Sequence, residues 1–293
     1  MTKRILVSLS TGRQGTAVVK ALAKRNETSP GTYDIIAATH NASSAKAKGL
    51  AQLPGVEIIE CDYEPRVMFD KAGTNLYGVF SVQQSYDNPR GGVAAEIREA
   101  KQMADEAAKR GVKHFVYASV DRGTVANTGV AHFESKREIE EYLSEKHANL
   151  PTTVLRPVSF MENISNGETQ VGKYSNTGMM ACLNKPMQFI ATTDIGEIAA
   201  LAFDDPGQYI GKKFSLAGDF LDAPSVAAVY RKVKGHELPT SFAILGKVAI
   251  FVSKDLRTMF RFFNTHGYAA DIGSVRAIHP ALMDFETYVR QEL

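Results

Sequence analysis

The stretch ILVSLSTGRQGTAVVKAL, residues 5–22, constrains this chain more than any other. A run of apolar, β-favouring residues ends in a glycine-bearing turn, and a helical pattern follows at once. Such a turn aims backbone N–H groups and a helix N-terminus at one point, which suits a diphosphate. Gly12 and Gly15 hold the second and third positions of a GxGxxG loop. Gly12 allows close approach of a diphosphate, and Gly15 allows helix and strand to pack tightly. Thr11, Arg13 and Gln14 add donors. Leu9 stands at the first glycine position, where it lacks glycine's freedom of φ. The competing reading is a strand–helix turn that holds nothing.

The rest of the first half repeats the same rhythm. YDIIAATHN, VEIIECD, LYGVFSVQQ, KHFVYASV and PTTVLRP read as strands, and helical segments lie between them. The strand runs are nearly continuous in apolar residues rather than alternating. That pattern belongs to a parallel sheet covered on both faces. The fold class is therefore α/β, a Rossmann-type doubly wound parallel sheet. Beyond residue 157 loops lengthen and Gly, Asn and Thr cluster. We read residues 1–157 as a nucleotide-binding domain and 158–293 as a smaller C-terminal α/β lobe for a substrate or partner. The two interleave, because such lobes commonly return a strand to the main sheet.

Composition narrows the function classes. Thirty-four basic residues against 32 acidic ones give a net charge of +2. That balance argues against direct nucleic-acid binding. The two cysteines, Cys61 and Cys182, fit a reducing cytoplasmic compartment, with the nucleus also compatible. The N-terminal apolar run is too short for a signal peptide. FAILGKVAIFV at 242–252 is too short for a membrane span and reads as a buried helix or an oligomer contact. His114, His147, His236, His266 and His279 have no metal-binding spacing, so no metal site is expected.

Taken in order, STGRQG, GVEIIECDYEP, YGVFSVQQ, GVKHFVYASV, HFESKREIEEYL, LRPVSFMENI, TTDIGEIAALAF and GYAADIGSVRAIHPALMDFETYV resemble the NmrA-like family of atypical short-chain dehydrogenases. The resemblance spans nearly the whole chain. It implies NADP or NAD as cofactor, with NADP favoured. Three departures matter. Leu9 is the first. The second is His40 in AATHNASS, where the family has an arginine for the 2′-phosphate; His40 carries charge only when protonated. Third, Lys136 is kept, but His132 occupies the tyrosine position of Tyr-x-x-x-Lys. Lys136 is the expected ribose anchor, and His132 with Lys136 the candidate catalytic pair.

Asp62 and Tyr63 are assigned to adenine, with a helix N-cap as the rival role for Asp62. Phe160 and Asn163 are assigned to the nicotinamide pocket. Tyr86, Tyr117 and Ser119 are weaker candidates, better read as buried or capping polar groups. Three functions remain. The first is a dinucleotide or redox sensor acting through protein partners. The second is an NAD(P)H-dependent reductase of a small carbonyl or aromatic substrate. The third is an interaction protein that has lost its nucleotide.

Overall fold

The computed structural model describes residues 2–62, 64–85, 91–242 and 253–293. A seven-stranded sheet is built from β1 (Lys3–Val7), β2 (Tyr33–Thr39), β3 (Val56–Glu60), β4 (Gly78–Ser81), β5 (His114–Ala118), β6 (Thr152–Pro157) and β9 (Lys213–Leu216), in the order β3-β2-β1-β4-β5-β6-β9. Pairings from β3 across to β6 are parallel. Val154 N donates to Lys212 O and Val158 N to Leu216 O, so donor and acceptor advance together and β9 runs the same way. Strand order reverses between β1 and β4. Ligands of doubly wound sheets bind beyond the carboxyl ends of the strands at such a switch point.

Helices α1 (Arg13–Thr28), α2 (Ala45–Leu50), α3 (Pro65–Ala72), α4 (Gly92–Lys109) and α5 (Ala131–Lys146) follow the first five strands in turn. Local chemistry sets their starts. Ser44 caps α2 by accepting from Ala47 N, and Pro65 opens α3 with its φ already helical. The strand interiors Ile5–Val7, Ile35–Ala38 and Phe115–Ala118 are buried throughout. Continuous burial of this kind explains the continuous apolar runs.

By its contacts the chain divides into two compact units. Unit 1 comprises 1–119, 135–156 and 193–214, and its core gathers Leu6, Ile36, Phe69, Met103, Phe115 and Tyr117. Unit 2 comprises 120–134, 157–192 and 215–293. It holds a three-stranded sheet in the order β10-β8-β7, from β7 (Ser159–Phe160), β8 (Met187–Ile190) and β10 (Asp219–Leu221). Its core is aromatic, with Phe133, Phe189, Phe262, Phe285 and Tyr230 among its members. Among the described residues no helix is long and apolar enough to cross a membrane, and no group of side chains could hold a metal ion.

Candidate functional site

The glycine turn keeps its shape around Leu9. Leu9 has φ +43°, in the left-handed region that L-residues avoid. Its carbonyl accepts from Gly12 N at 2.9 Å, and a Cβ on Gly15 would overlap that same oxygen. Gly15 is therefore fixed by space. Gly12 is the N-cap of α1 and supplies no side-chain cap, and the first turn has no acidic residue. The first N–H groups of α1 thus have no intrahelical acceptor and no capping side chain. Two polar atoms at the turn, Ser10 Oγ and Gln14 Oε1, are buried without a hydrogen-bond partner. Thr11 Oγ1 lies 3.2 Å from Thr39 Oγ1, which ties the turn to the end of β2. Arg13 is exposed at the first position of α1.

A narrow open cleft lies beside this turn, within unit 1. Leu9, His40, Asp62, Met68, Gln83 and Met103 are among its walls. The Ser8 hydroxyl donates to Val82 O at 2.8 Å and accepts from Val82 N at 2.9 Å, closing the seam between β1 and β4. Gln83 donates to Ser81 Oγ, while its Oε1 is buried and unpartnered. His40 and Asp62 are exposed on the cleft rim. Helix α3 has Glu64 as N-cap, so the capping role considered for Asp62 is excluded. Tyr63 and Tyr86 lie outside the described residues, as does 243–252.

A carboxylate that the sequence reading missed reaches the β2 turn from the neighbouring strand. Glu60 is in register with Thr39, and its Oε2 accepts from Ala42 N at 2.7 Å. The turn that carries His40 therefore also carries an acidic group. Only the pairing of β2 with β3 reveals this, because the two residues are 21 apart in sequence.

Lys136 lies in the part of α5 that belongs to unit 1. Its Nζ is 2.8 Å from Glu96 Oε1; the lysine side chain is 11% exposed and the glutamate 0%. Ser135 Oγ donates to the other Glu96 oxygen at 2.5 Å. The ammonium also sits 5.3 Å from the centre of the Tyr117 ring. Tyr117 is fully buried, its hydroxyl has no partner, and burial pushes its pKa well up. Ser119, at the serine position of the dehydrogenases, donates to Glu140 at 2.5 Å. Glu140 in turn is gripped by two nitrogens of Arg156. Burial pushes the Glu140 carboxyl up, but the hydrogen bonds from Arg156 and Ser119 outweigh it and hold it below the usual range. Lys136, Ser135 and Ser119 thus each have a structural partner inside unit 1, while the Tyr117 hydroxyl has none.

The remaining sequence candidates lie in unit 2. The His132 ring stands edge-on to Phe133 at 4.7 Å. Phe160 ends β7 and is half-buried. Asn163 closes the short 3-10 turn that follows, where its carbonyl accepts from Ser175 Oγ at 2.8 Å.

Comparison with known proteins sets this geometry in context. An NmrA-like family domain-containing protein of Dictyostelium discoideum is 26% identical over 310 residues, spanning 99% of this chain and 98% of that one. The crystal structure of NmrA, a negative transcriptional regulator, in complex with NADP matches at TM-score 0.73 and 17% identity, over 99% of this chain and 95% of that one. The triphenylmethane reductase of Citrobacter sp., complexed with NADP(H), matches at TM-score 0.74 and 18% identity, over 99% and 100%. At these identities the solved structures establish the fold alone. The model of the NmrA-like family covers residues 1–289, and the chain belongs to that family.

Proposed function

We propose that this chain binds a nicotinamide dinucleotide on the glycine turn and acts as a redox or dinucleotide sensor that regulates protein partners. The observation that carries the reading is the buried, unpartnered hydroxyl Ser10 Oγ, set beside the uncapped N-terminus of α1. Buried polar atoms without partners are rare and call for a ligand or ordered water. A diphosphate between Thr11 and Gly15 would accept from the Ser10 hydroxyl and from the first N–H groups of α1. Gln83 Oε1 would accept from a ribose hydroxyl or the adenine amine, with His40 and Asp62 at the rim of the cleft. We assign Lys136 to the ribose at the nicotinamide end. The related NmrA structures, with NADP and with NAD, support a cofactor of this class.

The preference between NADP and NAD follows from the β2 turn. His40 and Lys46 favour a 2′-phosphate, while the Glu60 carboxylate on the same turn opposes it. Discrimination is accordingly weak.

The nicotinamide cofactor supplies hydride chemistry when bound, and a reductase is the second reading. Lys136 and the NADP(H)-complexed reductase among the similar structures favour it. Against it stand His132 at the acid position, the Lys136–Glu96 ion pair, and the donation of Ser119 to Glu140. Those contacts occupy groups that a reductase would use in proton transfer. Calorimetric titration with NAD, NADH, NADP and NADPH tests binding, and a turnover screen on aldehydes, ketones and enones separates the two readings. The sensor reading expects binding without turnover, and gain of carbonyl reduction in His132→Tyr is not expected. Turnover by the unmodified chain that is lost in Lys136→Ala would replace the sensor with the reductase.

A further inference from the structure

A second cleft, of about 200 Å³, opens within unit 1. One wall is a single face at the end of α5, where Glu140, Leu143, Ser144 and His147 recur at helical spacing. The facing wall comes from Thr152 and Val154, which share one side of β6, and from 210–213 leading into β9. Thr152 is the first residue of β6, so this cleft lies at the amino end of that strand. The glycine turn follows the carboxyl end of β1, and the intervening pairings are parallel. The two sites therefore occupy opposite edges of the sheet.

The cleft divides by chemistry. Leu143, Leu150 and Val154 supply an apolar floor. Its two hydroxyls are turned to the backbone: Ser144 Oγ donates to Glu141 O and Thr152 Oγ1 to Leu150 O, both at 2.9 Å. His147 is tied through Nε2 to Asp105 Oδ1 at 2.7 Å and stands edge-on to Tyr142, which fixes that end. Glu140 lies seven residues back on the helix, about 10 Å along the axis. It is the one carboxylate among the lining residues, is buried, and is already gripped by Arg156 and Ser119. Lys213 Nζ stands 3.4 Å from Glu140 Oε2, and its side chain is 47% exposed. Lys212 is exposed on the same rim. With Arg156 matching Glu140, the two lysines are surplus positive charge. The long contact to Glu140 leaves ammonium protons of Lys213 for another acceptor.

We infer that this cleft binds a small monocarboxylate with an apolar body of single-ring size, its carboxylate on Lys213 and its ring on Leu143, Leu150 and Val154. A dry cavity of about 150 Å³ holds benzene, so the space suits one ring with a short arm. A second negative charge on the ligand is opposed by the Glu140 carboxylate beside Lys213.

The site is independent of the dinucleotide reading and is tested without dinucleotide. The full chain is titrated calorimetrically, up to millimolar levels, with phenylacetate, the neutral phenylacetamide and the cation phenethylamine. Phenylacetate is expected to bind about tenfold tighter than the amide, the worth of one charge-assisted hydrogen bond, and the cation weakest. Lys213→Met keeps the stem and removes the charge, and should bring phenylacetate down to the level of the amide. Lys213→Arg should keep the preference. Ala148→Trp, at the exposed rim, should fill the cleft and abolish binding of both with the melting temperature maintained. No saturable binding of phenylacetate, or equal binding of phenylacetate and phenylacetamide, would overturn the inference. So would a preference that survives in Lys213→Met, or binding that survives in Ala148→Trp.

Discussion

Leu9 holds a backbone conformation that costs an L-residue roughly 1–2 kcal/mol. The loop keeps it because Leu9 O anchors Gly12 and packs against Gly15. Local strain that persists in this way is tied to a site the surroundings over-determine. Leu9→Gly removes the strain, while the unfolded chain gains entropy worth about 0.4–1 kcal/mol. Thermal denaturation should show an unchanged or slightly raised melting temperature. Dinucleotide should bind several-fold tighter, because a cleft-lining side chain is removed as well. At the next turn, Glu60→Gln should shift the NADP-to-NAD affinity ratio toward NADP by roughly two- to fivefold, the worth of one exposed charge. The shift should shrink in high salt. A ratio unchanged at low salt would remove Glu60 from the account. Neither feature is visible in a single chain read linearly. The leucine is evident in the sequence but its φ is not, and Glu60 reaches the turn only through strand register.

Strand β5, interior to the sheet, shows what a buried element adds. His114 is fully buried against Thr153, its Nε2 2.8 Å from Thr153 Oγ1. Burial, reinforced by Lys3, lowers its pKa to about 4. The unfolded histidine takes up a proton near pH 6.5, and the folded one does not until about pH 4. Stability from this group is therefore complete above pH 6.5 and is lost as pH falls toward 4, by about 3 kcal/mol. Chemical denaturation from pH 7 to 4 should show that slope, and His114→Asn should flatten it. Between α4 and α5, Glu96→Gln leaves Lys136 beside a neutral partner. Breaking such a buried pair should lower stability by roughly 3 kcal/mol. The helices themselves were legible from periodicity and from Ser44 and Pro65. The pairing of Glu96 with Lys136 was not, because it depends on which faces of two helices meet over one strand.

For the whole chain, the apolar runs and the glycine turn sufficed to read a doubly wound parallel sheet. The ordered set of eight segments sufficed to read the family, which the match over residues 1–289 shows. Long-range placement was the part that remained hidden. The loop Asp121–Gly123 looks like any other until Asp121 and Gly123 are seen to meet residues more than 140 positions later. The central claim is that the turn from Leu9 to Gly15 is shaped to hold a dinucleotide. The direct measurement is calorimetric titration of the unmodified chain and of Gly15→Val with NAD, NADH, NADP and NADPH at millimolar concentrations. The unmodified chain should bind at least one of the four, and Gly15→Val should bind none, because the added side chain meets the Leu9 carbonyl. Absence of heat from all four with the folded, unmodified chain would contradict the claim and leave an interaction protein that has lost its nucleotide.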